Sequence, residues 1–212
     1  MTYRSDPAFL VLHAVRLKGA ADSDALARAT GLDPVDVERV LGALAEQGRV
    51  EHRHTAPVGW RVLAEGAAIH ATSLADELEV SGAGKAVEEA HRRFLELNPE
   101  LLSACTAWQR RLVEGAPVAN DHTDAAYDQQ VVARLVAVHH RITPVLDELA
   151  DHLARFGSYA QRLQDALDHV RAGAGDWFTR PLIDSYHSVW FELHQDLLDT
   201  LAIDRATERI DA

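Results

Sequence analysis

The sequence predicts a mainly α chain in two parts: three short helices closed by a β-hairpin, then a larger all-α helical bundle. Three observations carry this expectation. Apolar residues recur at spacings of three and four along most of the chain, a period of two appears from Arg49 to Val62, and the charge changes character near Gly66. Residues 1–66 hold 8 Lys/Arg against 9 Asp/Glu, whereas residues 67–212 hold 13 against 24, so nearly all of the net charge of −12 belongs to the second part. The expected units are 1–66, a connecting helix and hinge over 67–84, and a helical sensor or dimerisation domain over 85–212.

The first helix starts at Asp6-Pro7, an N-cap followed by proline at the first helical position. Phe9, Leu10, Leu12, Val15 and Leu17 follow at helical spacing up to Lys18-Gly19. Asp22 or Ser23 caps a second helix that stops at Thr30-Gly31. Asp33-Pro34 opens a third, whose Val37, Val40, Leu41 and Leu44 form one buried stripe, and Gln47-Gly48 ends it. Asp36, three positions after the cap, fits a capping box. Val50, His52 and His54 then alternate with Glu51 and Arg53, Thr55-Ala56-Pro57 turns, and Trp60 and Val62 alternate again, which is a β-hairpin.

This order is that of a winged helix-turn-helix, and the stretch GLDPVDVERVLGALAEQGRV followed by GWRVLAEG resembles the recognition helix and wing of MarR-type bacterial regulators. The resemblance covers residues 1–66 and implies binding of double-stranded DNA. Arg39 on the third helix and Arg49, His52, Arg53, His54 and Arg61 on the wing are the residues suited to phosphates and base edges. The outward face of the third helix departs from the usual pattern, since Val35, Glu38, Gly42 and Glu46 accompany Arg39 there.

In the second part, a helix over 67–80 is expected to break at Ser81-Gly82-Ala83-Gly84, Lys85 to Leu97 to form a helix, and Asn98-Pro99 to start another carrying Cys105 on its apolar side. Without a companion motif Cys105 reads as a small buried hydrophobe. Glu114 to Asp124 reads as a polar loop long enough for a lid. Thr123 or Asp124 then caps a region with Val131, Leu135, Val138, Ile142, Val145, Leu149 and Leu153 as a seam, which Pro144 is expected to kink or restart. Tyr159, Leu163, Leu167 and Val170 mark a further helix.

The last helix places Ile183, His187, Trp190, His194, Leu197 and Leu201 on one apolar line, which puts two histidines in the seam. Satisfied core histidines, a ligand pocket and metal ligation all fit that placement. The pocket expectation joins them to Trp108, Asn120, His122, Trp177, Asp184, Tyr186 and Trp190. The metal alternative draws on Asp121, His122, Asp124, His187 and His194, without a diagnostic spacing. GntR-type regulators with all-helical metal-binding effector domains offer an analogy of architecture alone. The phrases AWQRR, NDHTDAAYD and WFTRPLIDSYHSVWFELHQDLL resemble a helical segment of actinobacterial proteins, joined in some to winged-helix modules and in others to pyruvate phosphate dikinase-like domains. That resemblance implies a sensor or partner module and assigns no catalytic residue.

Several classes are set aside. A hydrophobic share of 47% and a charged share of 25% are ordinary for a folded chain, which argues against disorder. The single cysteine excludes an internal disulfide framework and points to a reducing compartment. No apolar run reaches the length of a membrane span and Met1 to Asp6 lacks a signal-peptide pattern, so a cytoplasmic location without membrane contact is expected. There is no Walker motif, dinucleotide fingerprint or nucleophile-base set, so neither catalysis nor a cofactor is expected. The reading is a ligand-responsive transcriptional regulator acting as a homodimer, with the Val131 to Leu153 seam and the last helix as candidate dimer surfaces. The alternative is a non-catalytic interaction module serving a metabolic or phosphotransfer enzyme.

Overall fold

A computed structural model describes residues 2–205, and the chain is mainly helical. Helix α1 (Pro7–Lys18) begins where Asp6 Oδ1 accepts from the Ala8 and Phe9 amides at 2.8 and 3.0 Å, satisfying two N–H groups the helix leaves open. Helix α2 (Ser23–Thr30) is capped by Asp22 and ended by Gly31 in the left-handed conformation. Helix α3 (Pro34–Glu46) is capped by Asp33, but the expected capping box is not formed, because the Asp36 carboxylate turns outward to the Arg39 guanidinium at 2.8 Å. The stripe Val37, Val40, Leu41 and Leu44 packs with Val11, Leu12, Val15 and Leu26 into one core.

Strand β1 (Val50–Arg53) pairs antiparallel with β2 (Gly59–Val62), with Val50 opposite Val62. The hairpin is tied back by a paired contact in which Trp60 N–H donates to the Ala21 carbonyl at 2.8 Å and Ala21 N–H to the Trp60 carbonyl at 3.3 Å. Gly59 is required for this approach, since a Cβ there would lie 2.7 Å from the Ala21 oxygen.

Helix α4 (Ala64–Ser81) follows directly and meets α5 (Gly84–Gln109) at a corner where Gly82 is left-handed and Ala83 is fully buried. The expected break is present, anchored to the core by Ala83 while Gly82 is exposed. Asn98-Pro99 does not restart a helix: α5 runs through, held by Phe94, Leu97, Leu101 and Cys105 buried on either side of the proline. Burial pushes the Cys105 thiol up to about 12, in keeping with a small apolar residue.

The expected loop after α5 is partly a second hairpin, β3 (Arg110–Val113) with β4 (Ala116–Ala119). Glu114 and Gly115, at φ 52° and 81°, supply the two left-handed positions of its turn. Helix α6 (Ala125–His152), capped by Asp124, also runs through its proline, Pro144. A 3-10 turn (Ala154–Phe156), α7 (Gly157–Arg171), α8 (Asp176–Thr179) and α9 (Tyr186–Thr200) complete the second unit. The Val131 to Leu153 seam is buried throughout within this unit's own core, so it is not available as a dimer surface; its apolar line is consumed by neighbouring helices of the same chain.

The two cores meet across buried charge. Lys18 of α1 donates to Asp184 at 2.9 Å and Glu192 at 2.8 Å, and Arg162 of α7 donates to the same two carboxylates at 3.1 and 2.6 Å. Beside this pairing, Arg155 binds Glu77 at 2.8 Å and Asp196 at 2.5 Å, and Tyr159 Oη donates to Asp196 at 2.9 Å. His13 Nε2 lies 3.1 Å from Asp196, and His13 Nδ1 lies 2.8 Å from Nε2 of His70. Arg155 Nη1 lies 3.2 Å from the same His13 Nε2, so the two imidazoles are tied into the ionic cluster from both ends.

Removing Arg155 leaves two buried carboxylates without their cation. Arg155→Met should therefore lower unfolding free energy by about 3–5 kcal/mol in urea denaturation. Burial, then the nearby His13 and Arg16, pushes His70 down from 6.5 to about 3. The folded value lies below the free one, so the unfolded chain takes up this proton first as pH falls. Stability contributed by neutral His70 is complete above about 6.5 and is lost progressively toward about 3. His70→Gln keeps a hydrogen-bonding side chain beside His13 without titrating, and should make the decline in stability over that window shallower by up to about 1.4 kcal/mol per pH unit.

Candidate functional site

Two regions carry the residues singled out from sequence. On the first unit, Arg39 is exposed on α3 but already paired with Asp36, and Arg61 Nε donates to Glu51 at 2.6 Å across the hairpin. Among the described residues Arg53 reaches the Thr55 hydroxyl alone, at 3.5 Å. The His52 ring lies between His54, tilted with centroids 4.6 Å apart, and Trp60, edge-on at 5.2 Å. Among the described residues the buried Nε of Arg49 and buried Nδ1 of His52 have no hydrogen-bond partner. Among the described residues no carboxylate pairs with Arg49 or Arg53, while Val35, 76% exposed, stands on the outward face of α3.

The expected ligand residues fall into separate places. Trp108, Asn120, His122 and Trp177 line one open cleft of about 1300 Å³ between the end of α5, the start of α6, the end of α7 and α8. Tyr186 and Trp190 do not join them. Tyr186 is fully buried and stacked on Trp190, whose ring lies on Phe94 and whose Nε1 donates to Asn98 Oδ1 at 3.0 Å, so these rings fill the seam instead of lining a cavity. His194 is half-buried over Phe94, and His187 is half-buried, with its pKa lowered by desolvation. Asp184 belongs to the ionic joint. Burial by itself would raise its pKa, but Arg162 and Lys18 hold the carboxyl down to about 2. The expectation of a histidine-lined aromatic box is corrected accordingly.

Among the described residues, no group of three or more His, Cys, Asp or Glu side chains is arranged to hold a metal ion. Asp121 and Asp124 serve as local caps, accepting from Thr123 and Tyr127 respectively.

Within the cleft the geometry is built from the inside outward. Buried Asn120 donates to the Trp108 carbonyl at 3.1 Å and to Asp128 Oδ1 at 2.8 Å, and its own Oδ1 accepts from the His122 amide at 3.3 Å. Asp128 Oδ2 lies 3.0 Å from Nδ1 of His122. His122 takes a left-handed φ of 59°, a conformation a non-glycine residue holds only where its surroundings enforce it. Its ring lies 4.5 Å from Trp108, which in turn stacks on Phe178 at 4.8 Å. Gly175 makes room for that indole: a Cβ there would stand 2.9 Å from Trp108 Cζ2.

The result is an imidazole whose Nδ1 is held by a carboxylate, with Nε2 left to accept from a ligand or to take its proton. Trp177 forms another wall, stacked on His169 at 4.0 Å, and Arg171 and Arg180 line the rim. Asp128, Arg171 and Arg180 were not singled out from sequence. Asp128 sits six residues after His122 in the same phrase, NDHTDAAYD, which was its one available signal.

No protein-family model matches this chain, and no curated protein or solved structure does so either.

The Asp128 carboxylate can only accept, and the Asn120 amide nitrogen, 3.2 Å from the same Nδ1, spends its two protons on the Trp108 carbonyl and Asp128, so neutral His122 is expected as the Nδ1–H tautomer. Long-range nitrogen-proton correlation spectra at pH 8 should show that form, and Asp128→Ala should shift the ring toward the Nε2–H form. Asn120→Ala, which removes the support beneath both groups, should cost about 1–3 kcal/mol of stability in denaturant titrations.

Proposed function

We propose that this chain is a ligand-responsive, non-enzymatic transcriptional regulator that binds double-stranded DNA as a cytoplasmic homodimer. In this reading residues 1–66 form a MarR-like winged helix-turn-helix. Residues 67–84 connect it to the helical unit over 85–212, whose cleft at His122 takes a small-molecule effector. The observation that supports the reading most is the order α1, α2, α3, β1, β2, with the hairpin tied to the turn between α1 and α2 by the Ala21 to Trp60 contact. The cleft supports binding rather than turnover, since His122 is held by Asp128 but, among the described residues, no hydroxyl or thiol is hydrogen-bonded to its Nε2.

A second reading, an interaction module for a metabolic or phosphotransfer enzyme, is favoured by one specific feature: Arg39 and Arg61 are neutralised by Asp36 and Glu51.

Selection of genomic fragments with purified protein, followed by gel shift, separates the two. Under the regulator reading, Arg53→Ala should weaken binding to all duplexes and lower the salt slope by about one. Arg39→Ala should cost about 1–3 kcal/mol at particular base pairs. Asp36→Asn and Glu51→Gln, which free the paired arginines, should tighten binding. Absence of any shift at about 50 mM salt with micromolar protein, in the wild type and in both of these variants, would remove the regulator reading.

A further inference from the structure

The hairpin β3–β4 leaves one of its edges open, and the two edges differ. Asn120 N–H donates to the Gln109 carbonyl at 2.9 Å, so 109 and 120 are a hydrogen-bonded pair. By the alternation of an antiparallel ladder, Arg111 with Val118 is the next such pair, and Leu112 opposite Pro117 is not one. The backbone groups of Leu112 and Pro117 therefore point away from the hairpin, on opposite sides. On the β4 side Pro117 has no N–H to offer, which blunts that edge. On the β3 side Leu112 offers both N–H and C=O. Arg110 offers neither freely, because its N–H donates to the Thr106 carbonyl and its carbonyl accepts from Tyr127 Oη at 3.4 Å. Among the described residues no further strand pairs with β3.

The side chains around this opening are apolar and exposed. Leu112 is 73% exposed, and Val113 and Val118 are exposed as well. The charges beside them are uncompensated. Arg111 is paired with Asp121 and Asp124, but neither Arg110 nor Glu114 has an ion-pair partner among the described residues. These two residues lie two positions before and two positions after Leu112.

We infer that the β3 edge is the contact between two copies of this chain, joined antiparallel about a two-fold axis at Leu112. Leu112 then exchanges two backbone hydrogen bonds with its symmetry mate, and its side chain meets the same apolar group. Arg110 of each copy faces the partner's Glu114, so a single two-fold contact compensates both charges twice. This self-complementarity is what an isologous interface requires, and it selects a second copy over an unrelated strand. The occupant rests on the homodimer reading above. The surface differs from the helical seam expected from sequence, which is buried.

Light scattering on the full chain tests this. The expected result is twice the chain mass at tens of micromolar, with Leu112→Arg and Glu114→Arg monomeric at an unchanged melting temperature. Arg110→Glu should also be monomeric, and the double variant R110E/E114R should recover the dimer, because each reversed charge meets its reversed partner. A wild type that stays monomeric throughout this range overturns the inference, as does a dimer that survives Leu112→Arg and Glu114→Arg, or failure of the double variant to associate. Gel shift with the monomeric variants distinguishes this from failure of the DNA-binding reading. Half-site binding by one winged helix should persist, weakened at least tenfold, even if the dimer contact is lost.

Discussion

The interaction on which the rest of this structure depends is the buried ionic joint centred on Arg155 and Asp196. Burying ions costs several kcal/mol each, and their mutual attraction repays it only where the geometry is complete. Here Glu77 from α4, Asp196 from α9, His13 from α1 and Arg155 from the turn before α7 meet with nearly all their polar atoms engaged. Such a contact tolerates few relative positions of its members. It fixes how the first three helices sit on the bundle more narrowly than an apolar interface of similar size, which allows sliding.

A second consequence concerns coupling between units. Lys18 reaches from the end of α1 into the bundle, and Asp184, which receives it, lies in the segment linking α8 to α9. Trp177 of α8 walls the cleft that holds His122 and also stacks on His169 of α7. The cleft and the first unit are therefore joined by consecutive packed elements.

The cleft and the first unit embody two uses of polar groups. At His122 the supporting layer is buried and satisfied, and the reactive nitrogen is what remains over. On the first unit, exposed Arg39 of α3 and Arg61 of β2 are each held by a carboxylate of that unit, Asp36 and Glu51. Exposed pairs of this kind contribute little to stability and exchange readily with solvent.

The sequence by itself determined the secondary structure of the first unit almost residue by residue. Its signals are local: Asp6, Asp22 and Asp33 cap helices through amides two or three residues away, and Gly19 and Gly31 end them through their own backbone freedom. The buried seams of α6 and α7 were legible for the same reason, since a 3.6-residue period records which face is covered. What covers that face is not local. Pro99 and Pro144 remain inside continuous helices because neighbours on both sides hold them. The Glu114 turn becomes a hairpin because its strands find each other, and His187 and His194 share a line with Trp190 without sharing a pocket. Only the tertiary structure brought Trp108, Asn120, His122, Asp128 and Trp177 to one cleft and His13, His70, Glu77, Arg155 and Asp196 to one joint, because these groups come from distant segments. Their energies depend on distances and on exclusion of water that no sequence spacing encodes.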